Sequence, residues 1–174
     1  MKLSAEKFIT EIELKKLLST IKSMSKNHYF LFFTLAHTGL RISEALALNW
    51  EDIMEDYILV RNGKGGKSRN IIIGKKLRKI LDSYKENEGP LFTVRRKRMK
   101  RDYSYKLLKK YLKAADIRES ISAHSFRHYF ATYLIDNHIS LGGVRDMLGH
   151  SSISVTSVYL GFSKQNQERI KNLL

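Results

Sequence analysis

There is no cysteine among the 174 residues, which excludes disulfides, thiolate chemistry and cysteine-held zinc or iron–sulfur sites. Proline occurs once, at Pro90, and no proline- or glycine-rich stretch marks a linker between domains. No apolar run approaches the roughly eighteen residues of a membrane span, and the start MKLSAEKFITEIELKK lacks the apolar core of a secretory signal. A cytoplasmic protein with no membrane partner is expected. Acidic residues are also scarce, with 17 Asp and Glu against 32 Lys and Arg, for a formal net charge of +15. That imbalance is too large for an ordinary small-molecule enzyme and ordinary for a protein that handles a polyanion, so nucleic acid is the leading partner.

The excess is not spread evenly. Residues 61–118 hold 20 basic and 5 acidic residues, a local +15, while the 12 basic and 12 acidic residues elsewhere cancel. A solvated lysine-rich surface spreads its charges, so this concentration points to a polyanion-binding face.

Periodicity predicts a mainly α fold with a small antiparallel β-sheet, an α+β domain over residues 1–174. Thr10 with Glu13 three residues on is a helix-start signature, followed by Leu14, Leu17, Leu18 and Ile21 at helical spacing. The stretch HYFLFFTLAHT (28–38) is apolar nearly all round, as a central helix is, and Gly39 can end it in the left-handed conformation. Another helix is predicted over 41–48 and a turn over 49–52. Two β-branched runs, 57–61 and 69–73, flank NGKGGKS and predict a hairpin with a cationic tip. Helices are predicted over 75–86, from about Tyr103, over HSFRHYFATYLID (124–136), over 141–148, around 154–159 and in the tail KQNQERIKNLL. VRRKRMKR lies between two of them.

Breaking a phosphodiester without a metal needs a nucleophile, donors for the charge growing on the nonbridging oxygens, and an acid for the leaving oxygen. Arginine suits the second role because its planar fork binds phosphate oxygens in pairs. Arg41, inside TGLRISEALAL, follows a helix-ending Gly-Leu corner among core-like residues, so its guanidinium should aim into a cleft or pair with Glu44. His124 and Arg127 are three apart near a helix N-terminus and share a face, where they could grip one phosphate. The competing reading makes Arg127 a surface residue and His124 a simple helix-start side chain. A zinc site at His124 and His128 is disfavoured, because no Glu follows the first His and Arg127 would repel a cation. His28, His37, His128 and His138 are assigned to packing or surface, and Tyr129 and Tyr133 to the core.

TGLRISE, GKGGKSR, HSFRHYFAT and LGHSSISVTSVY occur in this order, with Tyr159 nine residues after His150. Together they resemble the catalytic domain of tyrosine recombinases, the phage-integrase and Xer-like family, along nearly the whole chain. The resemblance implies Arg41, Lys64, His124, Arg127 and His150 around the scissile phosphate, Glu44 in support and Tyr159 as nucleophile. It further implies a 3′-phosphotyrosyl intermediate, a free 5′-hydroxyl, no metal or cofactor and no ATP. Lys64 resembles the general acid for the leaving oxygen, with Lys67 as its competitor. Double-stranded DNA is the implied partner, with backbone contacts expected from Lys67, Arg69, Arg95, Arg96, Lys97, Arg98, Lys100 and Arg101.

The family's preceding helical clamp domain is expected to be absent. The tail, with Ile170, Leu173 and Leu174, resembles the segment that seats in a neighbouring protomer, implying a tetramer on DNA; packing on its own domain is equally compatible. Two alternatives to a site-specific recombinase stay open: a nick-and-reseal activity like that of type IB topoisomerases, and a DNA-binding regulator that does no chemistry.

Overall fold

Helix α1 (Glu11–Met24) starts as the sequence predicts: Thr10 caps it, accepting from the Glu13 N–H, while the Glu13 carboxylate accepts from the Thr10 N–H at 2.8 Å. This is seen in a computed structural model that describes residues 8–61, 68–84, 86, 88–149 and 170–174. The chain divides into two compact units, Met1–Ala47 with Pro90–Phe130, and Leu48–Gly89 with Ala131–Leu174.

In the first unit, α1 packs through Leu14, Leu17 and Ile21 on α2 (Lys26–Thr38) and α5 (Arg101–Ala114). Ser25 caps α2, and Gly39, at φ 62°, closes it in the left-handed region that only glycine enters without strain. Helix α2 is buried on nearly every side, so its hydroxyls must be satisfied internally: Thr34 donates to the Phe30 carbonyl at 2.8 Å and Thr38 to the Thr34 carbonyl at 2.6 Å. Phe32 anchors the core, stacked on Phe126 of α6 (Ala123–Asp136) at 5.8 Å and edge-on to Tyr111 at 6.2 Å. The short α3 (Ile42–Ala47) packs on α2 and α5.

One element in this unit departs from expectation. VRRKRMKR contributes a second hairpin, in which β3 (Thr93–Val94) pairs antiparallel with β4 (Lys97–Arg98) around Arg95 and Arg96. Both turn arginines have positive φ, 50° and 63°. Such two-residue turns prefer Asn and Gly, so a sequence reading has no signal for one built from arginines.

The second unit carries the expected hairpin, β1 (Tyr57–Val60) against β2 (Arg69–Ile72), in antiparallel register with Tyr57 opposite Ile72 and Val60 opposite Arg69. A 3-10 turn at Trp50–Asp52 precedes it, and α4 (Lys75–Tyr84) follows. Helix α7 (Leu141–Leu148) packs on β2 and ends at Gly149, φ 64°. Residues 170–173 form a helical turn seated in this same unit. Ile170 and Leu174 are buried, the Tyr133 hydroxyl donates to the Leu173 carbonyl at 2.9 Å, and Lys171 pairs with Asp56 at 2.7 Å. Tyr129 and Tyr133, expected in the core, are only half-buried, and the Tyr133 ring keeps its hydroxyl at a polar partner, the Leu173 carbonyl. The rest of the expected tail helix and the helix around 154–159 lie outside the described residues.

Among the described residues no helix is long and apolar enough to cross a membrane.

Candidate nucleic-acid cleavage site

Arg41, His124 and Arg127 line one pocket of the first unit, with a volume of about 390 Å³. The corner after α2 supplies Leu40, Arg41, Ile42 and Ser43; the start of α6 supplies Ser122, Ala123, His124 and Arg127; α5 supplies Arg101, Ser104, Tyr105 and Leu108.

Each arginine is held. The Glu44 carboxylate, 9% exposed, accepts from the Arg41 guanidinium at 2.9 Å and from the Arg41 backbone N–H at 2.8 Å. Both sequence expectations for Arg41 are met, since it faces a cleft and pairs with Glu44. Arg127 is not a surface residue: it is 3% exposed, and its guanidinium donates to the Gly39 carbonyl at 2.8 Å. A guanidinium buried to that degree and tied at one nitrogen is fixed in direction at the pocket it lines. The Gly39 corner thus does two things, ending α2 and orienting Arg127.

Histidine 124 stands edge-on to His128, with ring centroids 4.5 Å apart, and His128 in turn meets Phe8 at 5.3 Å. Burial, then the nearby His128, Arg127 and Arg41, hold the His124 pKa below the ordinary histidine value, and burial with Arg127 does the same for His128. Neutral imidazoles therefore stand beside the two guanidiniums near pH 7, able to donate from one nitrogen and accept at the other. Among the described residues no group of three or more His, Asp or Glu is placed to hold a metal ion.

The basic stretch divides. Arg95, Arg96, Lys97, Lys100 and Arg101 are exposed. Arg98 is exposed as well, but its guanidinium also donates to the Leu46 carbonyl at 2.7 Å, satisfying the C-terminal end of α3. Arg69 requires a correction: expected on the DNA face, it is 6% exposed, and its Nε donates to the Met147 carbonyl at 3.3 Å at the end of α7. Its position opposite Val60, inside the register of the hairpin, turns its side chain into the unit rather than out with the tip. Lys64, Lys67, His150 and Tyr159 lie outside the described residues. Sequence reasoning missed Tyr105, although Arg101, Ser104, Tyr105 and Leu108 follow the spacing of one helix face.

With this geometry in view, comparison with known proteins decides the family. Residues 7–166 match the model of the phage integrase family. The chain belongs to that family. It is 34% identical over 163 residues to tyrosine recombinase XerA of Pyrococcus furiosus, across 88% of this chain and 56% of the relative. The chain thus spans little more than half the length of the curated relatives it matches. The crystal structure of XerA recombinase superposes with a TM-score of 0.74 at 26% identity, covering 94% of this chain and 63% of that one. A XerH site-specific recombinase bound to its difH substrate in a pre-cleavage complex superposes at 0.70 with 27% identity, over 97% of this chain and 54% of that one. The fold, mainly α with small antiparallel hairpins, is that of tyrosine recombinase catalytic domains.

Proposed function

We propose that the chain is the catalytic part of a site-specific DNA recombinase that cleaves and rejoins strands through a 3′-phosphotyrosyl intermediate, without metal or ATP. The observation that carries the reading is the convergence of Arg41, Arg127 and His124 on one pocket, both arginines fixed by other groups before any ligand arrives. Preorganised donors of this kind cost no rearrangement as charge develops on a phosphoryl group.

In this reading Arg41 and Arg127 bind the nonbridging oxygens and stabilise the pentavalent transition state. Tyr159 attacks phosphorus, the phosphorus–5′-oxygen bond breaks, and Lys64 gives the leaving oxygen its proton. His124 and His150 hydrogen-bond the phosphate or manage the tyrosine proton, and Glu44 keeps Arg41 in place. The 5′-hydroxyl later attacks the phosphotyrosyl bond, so the linkage energy is conserved and the strand is resealed. The duplex partner is supported by the +15 charge concentrated in residues 61–118 and by the DNA-bound XerH relative. Arg95, Arg96, Lys97, Lys100 and Arg101 contact the phosphate backbone, and so does Lys67. Assembly of several copies on DNA and a cytoplasmic setting complete the proposal.

The test is a duplex selected by binding from a randomised pool and nicked so that the strand beyond the cleavage point diffuses away. The chain should trap itself in a denaturant-resistant adduct, in EDTA, and Tyr159→Phe should not. Exchange between two labelled duplexes separates recombination from nicking and resealing alone. Salt-sensitive binding without adduct would mean a regulator that does no chemistry.

A further inference from the structure

The pocket is larger than its phosphate grip needs. Its volume of about 390 Å³ is within the range of sites for small organic ligands, not of a single oxyanion. The function proposed above draws on one further wall only for a general backbone contact at Arg101: the face of α5 formed by Arg101, Ser104, Tyr105 and Leu108, at positions i, i+3, i+4 and i+7.

Charge points the same way. Arg41 is already paired with Glu44 at 2.9 Å. Arg101 adds a third guanidinium at the pocket, exposed and with no hydrogen-bond or ion-pair partner among the described residues. Next to it the Tyr105 ring is 58% exposed, a large aromatic surface left in water. Its described neighbour is the Lys109 ammonium, 5.5 Å from the ring centroid. The floor between the walls is apolar, from Phe32, Leu40 and Leu108.

We propose that Arg101 and Tyr105 form a second subsite for the nucleotide next to the gripped phosphate. Arg101 takes that nucleotide's other phosphate, and the Tyr105 ring lies against the sugar between the two. The inference rests on the phosphate-gripping role of Arg41 and Arg127 proposed above, and it assigns sequence-independent positioning, since neither group reads a base edge. A strand held at two successive phosphates cannot pivot about the reacting one, which keeps the scissile bond aligned for in-line attack.

The full chain can be titrated with inorganic phosphate, thymidine 3′-monophosphate and thymidine 3′,5′-bisphosphate, followed by NMR shifts of the pocket residues. The bisphosphate should bind about tenfold or more tightly than the monophosphate, the gain of a charge-assisted bond to a second phosphate. Arg101→Gln should erase that advantage, so that on this variant the bisphosphate binds no tighter than the monophosphate, whereas Lys76→Gln, a charge lost in the other unit, should preserve it. Tyr105→Ala should bring the thymidine monophosphate down to the level of inorganic phosphate, and Tyr105→Phe should not. Equal binding of the two nucleotides, or an advantage that survives Arg101→Gln, overturns the subsite and leaves the phosphate grip intact. Phosphate binding that ignores Arg41→Ala contradicts the grip itself, and with it the proposed function.

Discussion

Glu44 holds Arg41 at two points, accepting from its guanidinium at 2.9 Å through one carboxylate oxygen and from its backbone N–H at 2.8 Å through the other. The carboxylate starts α3 and aims the arginine in a single stroke. Glu44→Gln keeps an acceptor for the backbone and loses the ion pair, so it should fold with little loss of stability and bind phosphate more weakly. Glu44→Ala removes both contacts and should also destabilise the first unit by about 1–3 kcal/mol, the cost of stranding partly buried donors. Denaturant midpoints and phosphate titrations of the two variants check this. Equal phosphate affinity in Glu44→Gln and the parent would mean that the pair is only structural.

The twin-arginine turn is a trade of stability for charge. Arg95 and Arg96 occupy positive φ, where Asn and Gly sit with less strain. The double substitution Arg95→Asn with Arg96→Gly should raise stability by roughly 1 kcal/mol. The same change should lower DNA affinity and flatten the salt dependence by about one unit of slope per lost phosphate contact. Thermal melts and binding isotherms at several salt concentrations read both effects, and unchanged salt dependence would remove the turn from the DNA interface.

Acid should destabilise the first unit through its histidines. His28, His124 and His128 all have pKa values held below the ordinary 6.5, burial being the largest cause in each. Below that ordinary value the unfolded chain binds protons that the folded rings resist, so stability is fully present above it and lost as pH falls. Denaturant midpoints should therefore hold steady above about pH 7 and drop as the pH falls below about 6.5, and His128→Gln should flatten the curve. A midpoint that rises on acidification contradicts the assignment.

Arg69 and Gly149 are matched. A Cβ at residue 149 would lie 2.8 Å from Arg69 Cδ, and the residue sits at φ 64°. Gly149→Ala should cost about 1–2 kcal/mol from the backbone conformation, plus the clash. In an Arg69→Ala background only the conformational part should remain, so the two costs should not add. Additivity within a few tenths of a kcal/mol would mean that the two side chains do not meet.

Much of this was legible in the sequence because it is written in local chemistry. The Thr10–Glu13 box, the all-round apolar α2, the Gly39 stop and the Arg41–Glu44 spacing each state their structure within a few residues. Arg69 was misjudged because a charged residue beside a glycine-rich basic tip reads as exposed, and only the strand register turns it inward. The hairpin at VRRKRMKR was hidden because its turn uses residues that ordinarily avoid such backbone angles. Tyr105 escaped notice for a different reason: its significance comes from the α2–α3 corner and the start of α6 facing α5, a relationship between segments far apart in the chain.

The central claim is tested most directly by locating the covalent bond. After reaction with nicked duplex in EDTA, nuclease and protease digestion should leave one peptide carrying a nucleotide remnant, and fragmentation by mass spectrometry should place it on Tyr159 as a 3′-phosphoester. A remnant on another side chain, a 5′-linkage, or no adduct under conditions where the duplex is bound would contradict the account.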